Sequence, residues 1–162
     1  MKRAALVFLV VLALAASAAA QTKISGTTQC PKVEKEYKIE VGDRPGHIFA
    51  IVQGKCPWSK VEIAGIELKD ELWTGFEEVS GNTGRGRFAA VHIMANGDKI
   101  FGRGEFTTTW KDGAPQTAEG KWTFTGGTGK FKGLKAKGTH KAKYAADGSF
   151  TLEFEGEYEL PR

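Results

Sequence analysis

Residues 121–144 read KWTFTGGTGKFKGLKAKGTHKAKY, and this stretch decides the fold class of the chain. It consists of a strand, a glycine-rich corner and a second strand of strict alternation. From Leu134 to Tyr144 the even positions are apolar or glycine, with His140 among them, whereas the odd positions are lysine or threonine. Because successive side chains of a strand point to opposite faces, this alternation predicts a sheet with one covered face and one face in water.

The end of the chain predicts the partner strand of a β-hairpin. Between Phe150 and Leu160 the even positions are apolar or glycine, and most odd positions are glutamate. A three-residue loop, 147–149, would bring both apolar sets to the same face. A two-residue turn would slip the pairing by one residue and place lysines beside phenylalanines, so the three-residue loop is preferred. The expected lysine–glutamate pairs are Lys143 with Glu153, Lys141 with Glu155 and Lys137 with Glu159.

Residues 1–20, MKRAALVFLVVLALAASAAA, have the layout of a secretory signal peptide: two cations, an apolar run and an alanine-rich end. The strongly apolar part is shorter than the roughly 20 residues that span a bilayer, so we expect cleavage before Gln21 rather than a membrane anchor. The sequence therefore predicts a periplasmic or secreted protein with no further membrane association. Its single domain comprises residues 21–162.

The cysteine count and the charge bound the function further. Cys30 and Cys56 are the two cysteines of the chain, and in an oxidising compartment we expect them to form one disulfide. The formal charge is +4, and removal of residues 1–20 takes away Lys2 and Arg3 and leaves +2. This is too close to neutral to predict binding to nucleic acid or to an anionic membrane. Two cysteines and three scattered histidines give no support for a Cys/His metal site.

Most of the remaining chain reads as short strands separated by turns. Residues 21–31 predict an irregular segment, and residues 33–41 predict a half-buried strand with Tyr37 pointing inward. The segment from Ile66 to Val79 also fits a helix face, but the β character of the rest favours strands. Roughly eight strands predict an all-β, antiparallel closed barrel, since closure removes exposed sheet edges. Glycines at inward positions would either allow tight coiling or leave space for a ligand.

The dipeptide Asn96-Gly97 is the strongest short hairpin signal in the chain. As a two-residue turn it would join the segments 88–95 and 99–110. His92 is then expected on the face opposite the apolar residues, together with Arg103 and Glu105. The residues expected on the apolar face are Val91, Ile93, Ile100, Gly102, Gly104 and Phe106.

Residues 124–138, FTGGTGKFKGLKAKG, resemble the corner of the allene oxide cyclase-like and dirigent-like barrels. In those families a strand enters a GG(T/S)G turn that is followed by an aromatic residue, a glycine and another strand. The resemblance implies an eight-stranded calycin-like barrel, often with an apolar cavity. In the plant members, such barrels guide cyclisation or radical coupling by enclosing a reactive intermediate. No catalytic residue of these families has a match here.

The corner itself is expected to be structural. Gly126, Gly127 and Gly129 are expected to take backbone conformations closed to other residues, and Phe131 is expected to plug the barrel.

Candidate ligand-binding residues are few. His140 is the one titratable residue on a clearly apolar face, where an imidazole could anchor a ligand or act as a general acid or base. A histidine satisfied by a neighbouring backbone group or hydroxyl is the competing interpretation. Tyr37, Trp122 and Tyr158 are also expected inward, where core filling alone would explain them. Aspartate and glutamate fall almost wholly on outward parities, which leaves no carboxylate pair for acid/base hydrolysis.

Three functions stay open at this point. The preferred one is an exported barrel that binds a small apolar molecule, without a catalytic residue, a metal or a cofactor. The second is an enzyme of the cyclase or isomerase type, which needs at least two polar groups that converge in the pocket. The third is a structural or protein-interaction module with a filled barrel.

Overall fold

The computed structural model describes residues 21–161, so the expected signal peptide lies outside the described residues. Within this range no helix is long and apolar enough to cross a membrane. The described chain forms ten β-strands and one short 3-10 helix, Gly129–Phe131. The strands are β1 (Thr22–Cys30), β2 (Lys35–Glu40), β3 (His47–Pro57), β4 (Glu62–Ile63), β5 (Ile66–Ser80), β6 (Thr83–Met94), β7 (Lys99–Lys111), β8 (Ala114–Gly127), β9 (Lys135–Tyr144) and β10 (Phe150–Glu159).

The strands form one antiparallel sheet that coils into a barrel-like shape but does not close. Its order is β1-β10-β9-β8-β7-β6-β5-β3-β2, with β4 paired only to β5. At the gap, β1 lies against β3 through the Thr28 hydroxyl, which donates to the Pro57 carbonyl oxygen, and through the Cys30–Cys56 disulfide. The all-β, antiparallel prediction is confirmed. The prediction of eight strands in a closed barrel is wrong, because side-chain and covalent contacts replace the last hydrogen-bonded ladder.

The N-terminal segment differs from the sequence expectation. Residues 21–31, expected to be irregular, contain β1, which pairs with β10 from Thr22 opposite Tyr158 to Cys30 opposite Phe150. Its inward side chains are mostly small or polar, so the alternation is weak in the sequence. The predicted disulfide is confirmed, and it joins this end strand to β3 with a Cα–Cα distance of 4.6 Å.

Strand β2 is an exposed edge strand rather than a half-buried one. All six of its residues are exposed, and Tyr37 is 65% exposed. Tyr37 lies opposite Ile51, which lies opposite Phe76, so the three form a row of exposed apolar side chains across β2, β3 and β5. The prediction that Tyr37 points into the barrel is therefore wrong. The alternation correctly indicates a strand, but the apolar side of this strand faces outward, whereas Glu36 and Lys38 from its other side line the barrel interior.

The long strand β5 confirms the β interpretation of residues 66–79. Its pairing with β6 shifts between Leu68 and Asp70, which marks a β-bulge at Lys69. A bulge inserts one extra residue and so reverses the parity of the rest of the strand. Before the bulge Leu68 is buried, and after it the buried positions begin with Glu71 and include Glu77. Two glutamates that the sequence parity places outside are thereby turned inward.

The hairpin at Asn96-Gly97 exists, but its register is one residue from the predicted one. His92 pairs with Ile100, and the Met94 amide donates to the Asp98 carbonyl oxygen, so the loop contains three residues rather than two. A one-residue slip moves every side chain of a strand to the other face. His92 is consequently buried, whereas Ile93 is 38% exposed.

The C-terminal hairpin keeps its predicted faces but not its predicted partners. Lys141 pairs with Glu153 and Lys137 with Glu157, which is two residues from the expected register. An even shift preserves the side of the sheet on which each residue lies, and the Lys137–Glu157 ion pair has an N–O distance of 3.2 Å. The rejected two-residue turn is not observed. The Ala145 amide donates to the Ser149 carbonyl oxygen and closes the loop one residue earlier than expected.

Each glycine of the glycine-rich corner has a structural role. Gly126 and Gly129 have φ angles of 136° and 49°, in the region that favours glycine. The same expectation is wrong for Gly127, whose φ angle is outside this region. A glycine is needed there for space, because a Cβ would overlap the Lys99 carbonyl oxygen. Phe131 is fully buried and packs in the core at this end of the barrel.

Three inward glycines of the strands are covered by aromatic side chains. The Trp122 ring occupies the space where Gly138 and Gly156 would carry side chains. The Phe88 ring lies in the same way over Gly104. These glycines therefore make room for aromatic rings of the wall rather than for a ligand.

We expect the disulfide to stabilise the fold by about 2–4 kcal/mol, because it closes a 26-residue separation in sequence and joins β1 to β3. Reduction of the wild-type protein should lower its melting temperature by calorimetry. A Cys30→Ala/Cys56→Ala double variant is the control and should melt at one temperature with and without reductant. A wild-type melting temperature that reduction leaves unchanged would contradict the role of the disulfide.

Substitution of Gly138 by alanine should lower the free energy of unfolding by about 1–3 kcal/mol, since the new methyl group would meet the Glu155 carbonyl oxygen and the Trp122 ring. Gly75→Ala is the matched control within a strand, because its nearest neighbour would be a Trp73 ring carbon at 3.3 Å. Urea unfolding of both variants tests this. Equal losses of unfolding free energy in the two variants would show that the position of the Trp122 ring does not require a glycine at residue 138.

Candidate functional site

The barrel interior holds a cavity of about 370 Å³. Neighbouring strands are antiparallel, so β7 and β9 run in the same direction and the turns after them lie at one end of the barrel. Gly113 and Gly148 from these two turns line the cavity, as does Val33 from the loop after β1. The opposite end carries the corner with Phe131. The cavity thus runs from a rim of loops towards the plugged end.

The polar pair Glu71 and His92 lies on one side of the cavity. The two residues are directly opposite each other on β5 and β6, and His92 Nδ1 is 3.9 Å from Glu71 Oε2. Both are more than nine-tenths buried. Trp58 Nε1 donates to Glu71 Oε2 at 3.1 Å, whereas His92 Nδ1 has no hydrogen-bond partner in the described part of the chain. Burial lowers the pKa of His92, with a smaller opposing effect from Glu71, so its imidazole is neutral at pH 7.

A second carboxylate, Glu77, lies further along β5. Trp110 Nε1 donates to Glu77 Oε1 at 3.1 Å, and the Lys38 ammonium lies 5.5 Å from the centre of the same indole ring. Burial raises the pKa of Glu77, which the hydrogen bond from Trp110 partly offsets. Burial together with the charge of Glu77 raises the pKa of Tyr144 to about 12. This end of the cavity therefore has a cation close by, whereas Glu71 forms no salt bridge with a lysine or arginine of residues 21–161.

His140 lines the cavity between aromatic neighbours. Its ring packs edge-on against Phe88 with a centroid distance of 5.5 Å, and its Nδ1 has no hydrogen-bond partner among residues 21–161. Burial lowers its pKa. His140 is thus a neutral polar group in an aromatic wall, which could donate or accept one hydrogen bond to a bound molecule.

Three of the inward polar side chains lie beside a glycine of the neighbouring strand. A Cβ at Gly84 would overlap the Glu77 carboxylate, and one at Gly102 would lie 3.1 Å from His92 Nε2. Because the glycine has no side chain, the imidazole or carboxylate of the neighbouring strand occupies the space beside it. The three pairs are Glu77 with Gly84, His92 with Gly102 and His140 with Gly120.

Six cavity-lining side chains form a closed circuit of contacts, which we call the aromatic box. Glu71 accepts a hydrogen bond from Trp58, and the circuit returns to it through His92. Between these points the ring centroids are 4.8–5.8 Å apart. In order, the members of the aromatic box are Glu71, Trp58, Phe154, Trp122, Phe124 and His92.

The structure brings two of the four expected ligand-binding residues to the cavity. Trp122 and His140 line it, whereas Tyr37 is on the outer surface. Tyr158 lies outside the lining, where its hydroxyl accepts a hydrogen bond from the Ala64 amide at 3.1 Å. The buried polar residues of the lining that sequence reasoning missed are Glu71, Glu77 and His92. No group of three or more histidine, cysteine or acidic residues within residues 21–161 is placed to hold a metal ion.

The third histidine, His47, has the opposite electrostatic setting on the outer side of the sheet. Its Nδ1 lies 2.5 Å from Asp43 Oδ1 and its Nε2 lies 2.9 Å from Glu78 Oε1. The hydrogen bond to Asp43, and then that to Glu78, raises the pKa of His47.

In an NMR titration of the imidazoles we expect His92 and His140 to titrate below pH 6.5 and His47 above it. The unfolded chain then takes up protons at His92 and His140 first, so these two residues lower the stability as the pH falls below about 6.5. The stabilisation from His47 is present below that pH and is lost as the pH rises through its own raised pKa. Single His→Gln variants assign the resonances. A value for His92 above that of His47 would contradict the burial argument.

Comparison with solved structures finds this fold in dirigent proteins. The pterocarpan synthase dirigent protein PsPTS1 matches with a TM-score of 0.50 and 12% sequence identity, over 88% of this chain and 97% of its own. The pterocarpan synthase dirigent protein GePTS1 has a TM-score of 0.45 and 12% identity, over 87% and 90%. No family model and no curated protein matches the chain in sequence. The chain therefore has the all-β, barrel-like fold of a dirigent protein, in agreement with the resemblance at the glycine-rich corner.

Proposed function

We propose that this protein is an exported binding protein that holds one small, largely apolar molecule inside its barrel. The observation that carries the proposal is the interior cavity of about 370 Å³. Pockets for small organic ligands have volumes of about 300–1,000 Å³ and combine apolar walls with a few polar groups. The cavity fits both criteria, since most of its lining residues are apolar and a few are polar. A cavity of this size also argues against a filled barrel with a purely structural role.

The fold supports the binding of a small molecule, and the disulfide supports an exported location. One protein of the same fold is a pterocarpan synthase, which is consistent with a barrel whose interior handles a small organic molecule. The Cys30–Cys56 disulfide is of the kind that persists in an oxidising compartment. Together with the signal-peptide layout of residues 1–20, it supports a periplasmic or secreted location.

An enzyme of the cyclase or isomerase type is the second candidate, and the Glu71–His92 pair favours it. A carboxylate and a neutral imidazole on the same wall of an apolar cavity could take a proton from one position of a bound molecule and return it at another. Sequence reasoning required two converging polar groups for this function, and Glu71 and His92 are such a pair. Binding is placed first because it needs only the cavity, whereas turnover also needs a reactive ligand.

The binding proposal predicts that native mass spectrometry of protein from its own host will detect a retained small molecule. The neutral fluorescent probe N-phenyl-1-naphthylamine should also bind the emptied protein at one saturable site. The proposal would be refuted if the protein retained no compound and the probe showed no saturable binding.

A pair of alanine variants locates the site. Ala118 lines the cavity and Ala89 is exposed on the outer face, so Ala118→Phe should weaken probe binding by at least about tenfold through loss of cavity volume, and Ala89→Phe should not. Circular dichroism establishes that both variants are folded. Equal probe affinity in the two folded variants would place the probe outside the cavity.

A further inference from the structure

We propose that the molecule held in the cavity carries a positively charged amino group, which Glu71 and His92 bind inside the aromatic box. This inference rests on the proposed binding function and names the class of ligand: an organic ammonium ion with an apolar body. Three features of the box support it, namely an uncompensated carboxylate, an unpartnered ring nitrogen and aromatic walls.

The carboxylate of Glu71 lacks a cationic partner within the described chain. Its side chain is more than nine-tenths buried, and its one hydrogen bond comes from the neutral indole of Trp58. No lysine or arginine forms a salt bridge with it among residues 21–161. Burial of an unpaired charge costs free energy. A positively charged ligand that pairs with Glu71 would remove this cost.

The other cavity charges do not reach this position. Glu77 is six residues from Glu71 along β5, a separation of about 20 Å for an extended strand, and Lys38 lies at the Glu77 end over Trp110. Four further charged residues contribute to the lining, but all are exposed, namely Lys32, Glu36, Arg103 and Asp147. The Glu71 end of the cavity therefore has one carboxylate and, among the described residues, no cation of the protein.

The unpartnered Nδ1 of His92 adds a directional contact. A neutral imidazole protonated at Nε2 offers the Nδ1 lone pair as an acceptor, and Nδ1 is 3.9 Å from Glu71 Oε2. An ammonium nitrogen placed about 2.9 Å from each of these atoms forms two hydrogen bonds of ordinary length. A hydroxyl group could make the same contacts, but it would leave the charge of Glu71 uncompensated.

The aromatic members of the box complete a site for a cation. Trp58, Phe154, Trp122 and Phe124 surround the same space, and the faces of such rings attract ammonium groups when water is excluded. A bare metal ion fits poorly, because one carboxylate and one imidazole leave most of its coordination positions to carbon atoms. The chemistry of the walls thus selects an organic cation.

The test compares 2-phenylethylammonium with its neutral analogue 2-phenylethanol by isothermal titration calorimetry at pH 7. The two probes have the same apolar body and differ at the head group. We expect the wild-type protein to bind the ammonium probe at least about tenfold more tightly. Glu71→Gln, which keeps an acceptor for Trp58, should abolish this preference. Glu77→Gln removes the other buried carboxylate of the cavity and should retain this preference.

Each outcome decides the inference. Three results would overturn it. The two probes could bind with equal affinity, or the ammonium probe could fail to bind at about 10 mM, a concentration above the millimolar Kd of ordinary weak ligands. The preference for the ammonium probe could also survive in folded Glu71→Gln. Binding of N-phenyl-1-naphthylamine to the same preparations separates this failure from failure of the proposed function. If that neutral probe binds while the ammonium preference is absent, the cavity remains a binding site and only the charge of its ligand is wrong.

Discussion

The packing of aromatic rings onto glycines of neighbouring strands is the interaction on which the rest of the structure depends. Trp122 covers Gly138 and Gly156, and Phe88 covers Gly104. A ring that occupies the side-chain space of a glycine lies closer to the wall of the barrel than it could beside a larger residue. The sheet can therefore coil tightly while the centre stays open, which reconciles a core rich in tryptophan and phenylalanine with a cavity of about 370 Å³.

The same arrangement makes room for polar side chains in the interior. His92 lies beside Gly102, and His140 beside Gly120. A Cβ at Gly120 would clash with the His140 ring, and one at Gly102 would lie in tight contact with the His92 ring. The polar groups of the cavity therefore use the space beside glycines, as the aromatic rings of the wall do. The unpartnered nitrogens of both histidines then lie in a setting where water competes little with a ligand for hydrogen bonds.

Much of the fold could be predicted from alternation, because alternation records which face of a strand is covered. The class and the strands at the end of the chain can be derived from it, as can the interior position of His140. Alternation does not record what covers a face, which is why it predicts Tyr37 inside although the apolar side of β2 is exposed. Strand β1 is not predicted because its inward residues are small.

The polar half of the site depends on two local irregularities of one residue each. The bulge at Lys69 turns Glu71 inward, and the three-residue loop at Asn96 turns His92 inward. With a regular β5 or a two-residue turn, one member of the pair would be in water and the cavity would lose its carboxylate–imidazole contact. The strand pattern thus determines the barrel, whereas these two irregularities determine its chemistry. Neither can be predicted from alternation, because the apolar pattern continues on the face that the irregularity turns outward. Phe76 after the bulge and Ile93 before the loop are both exposed.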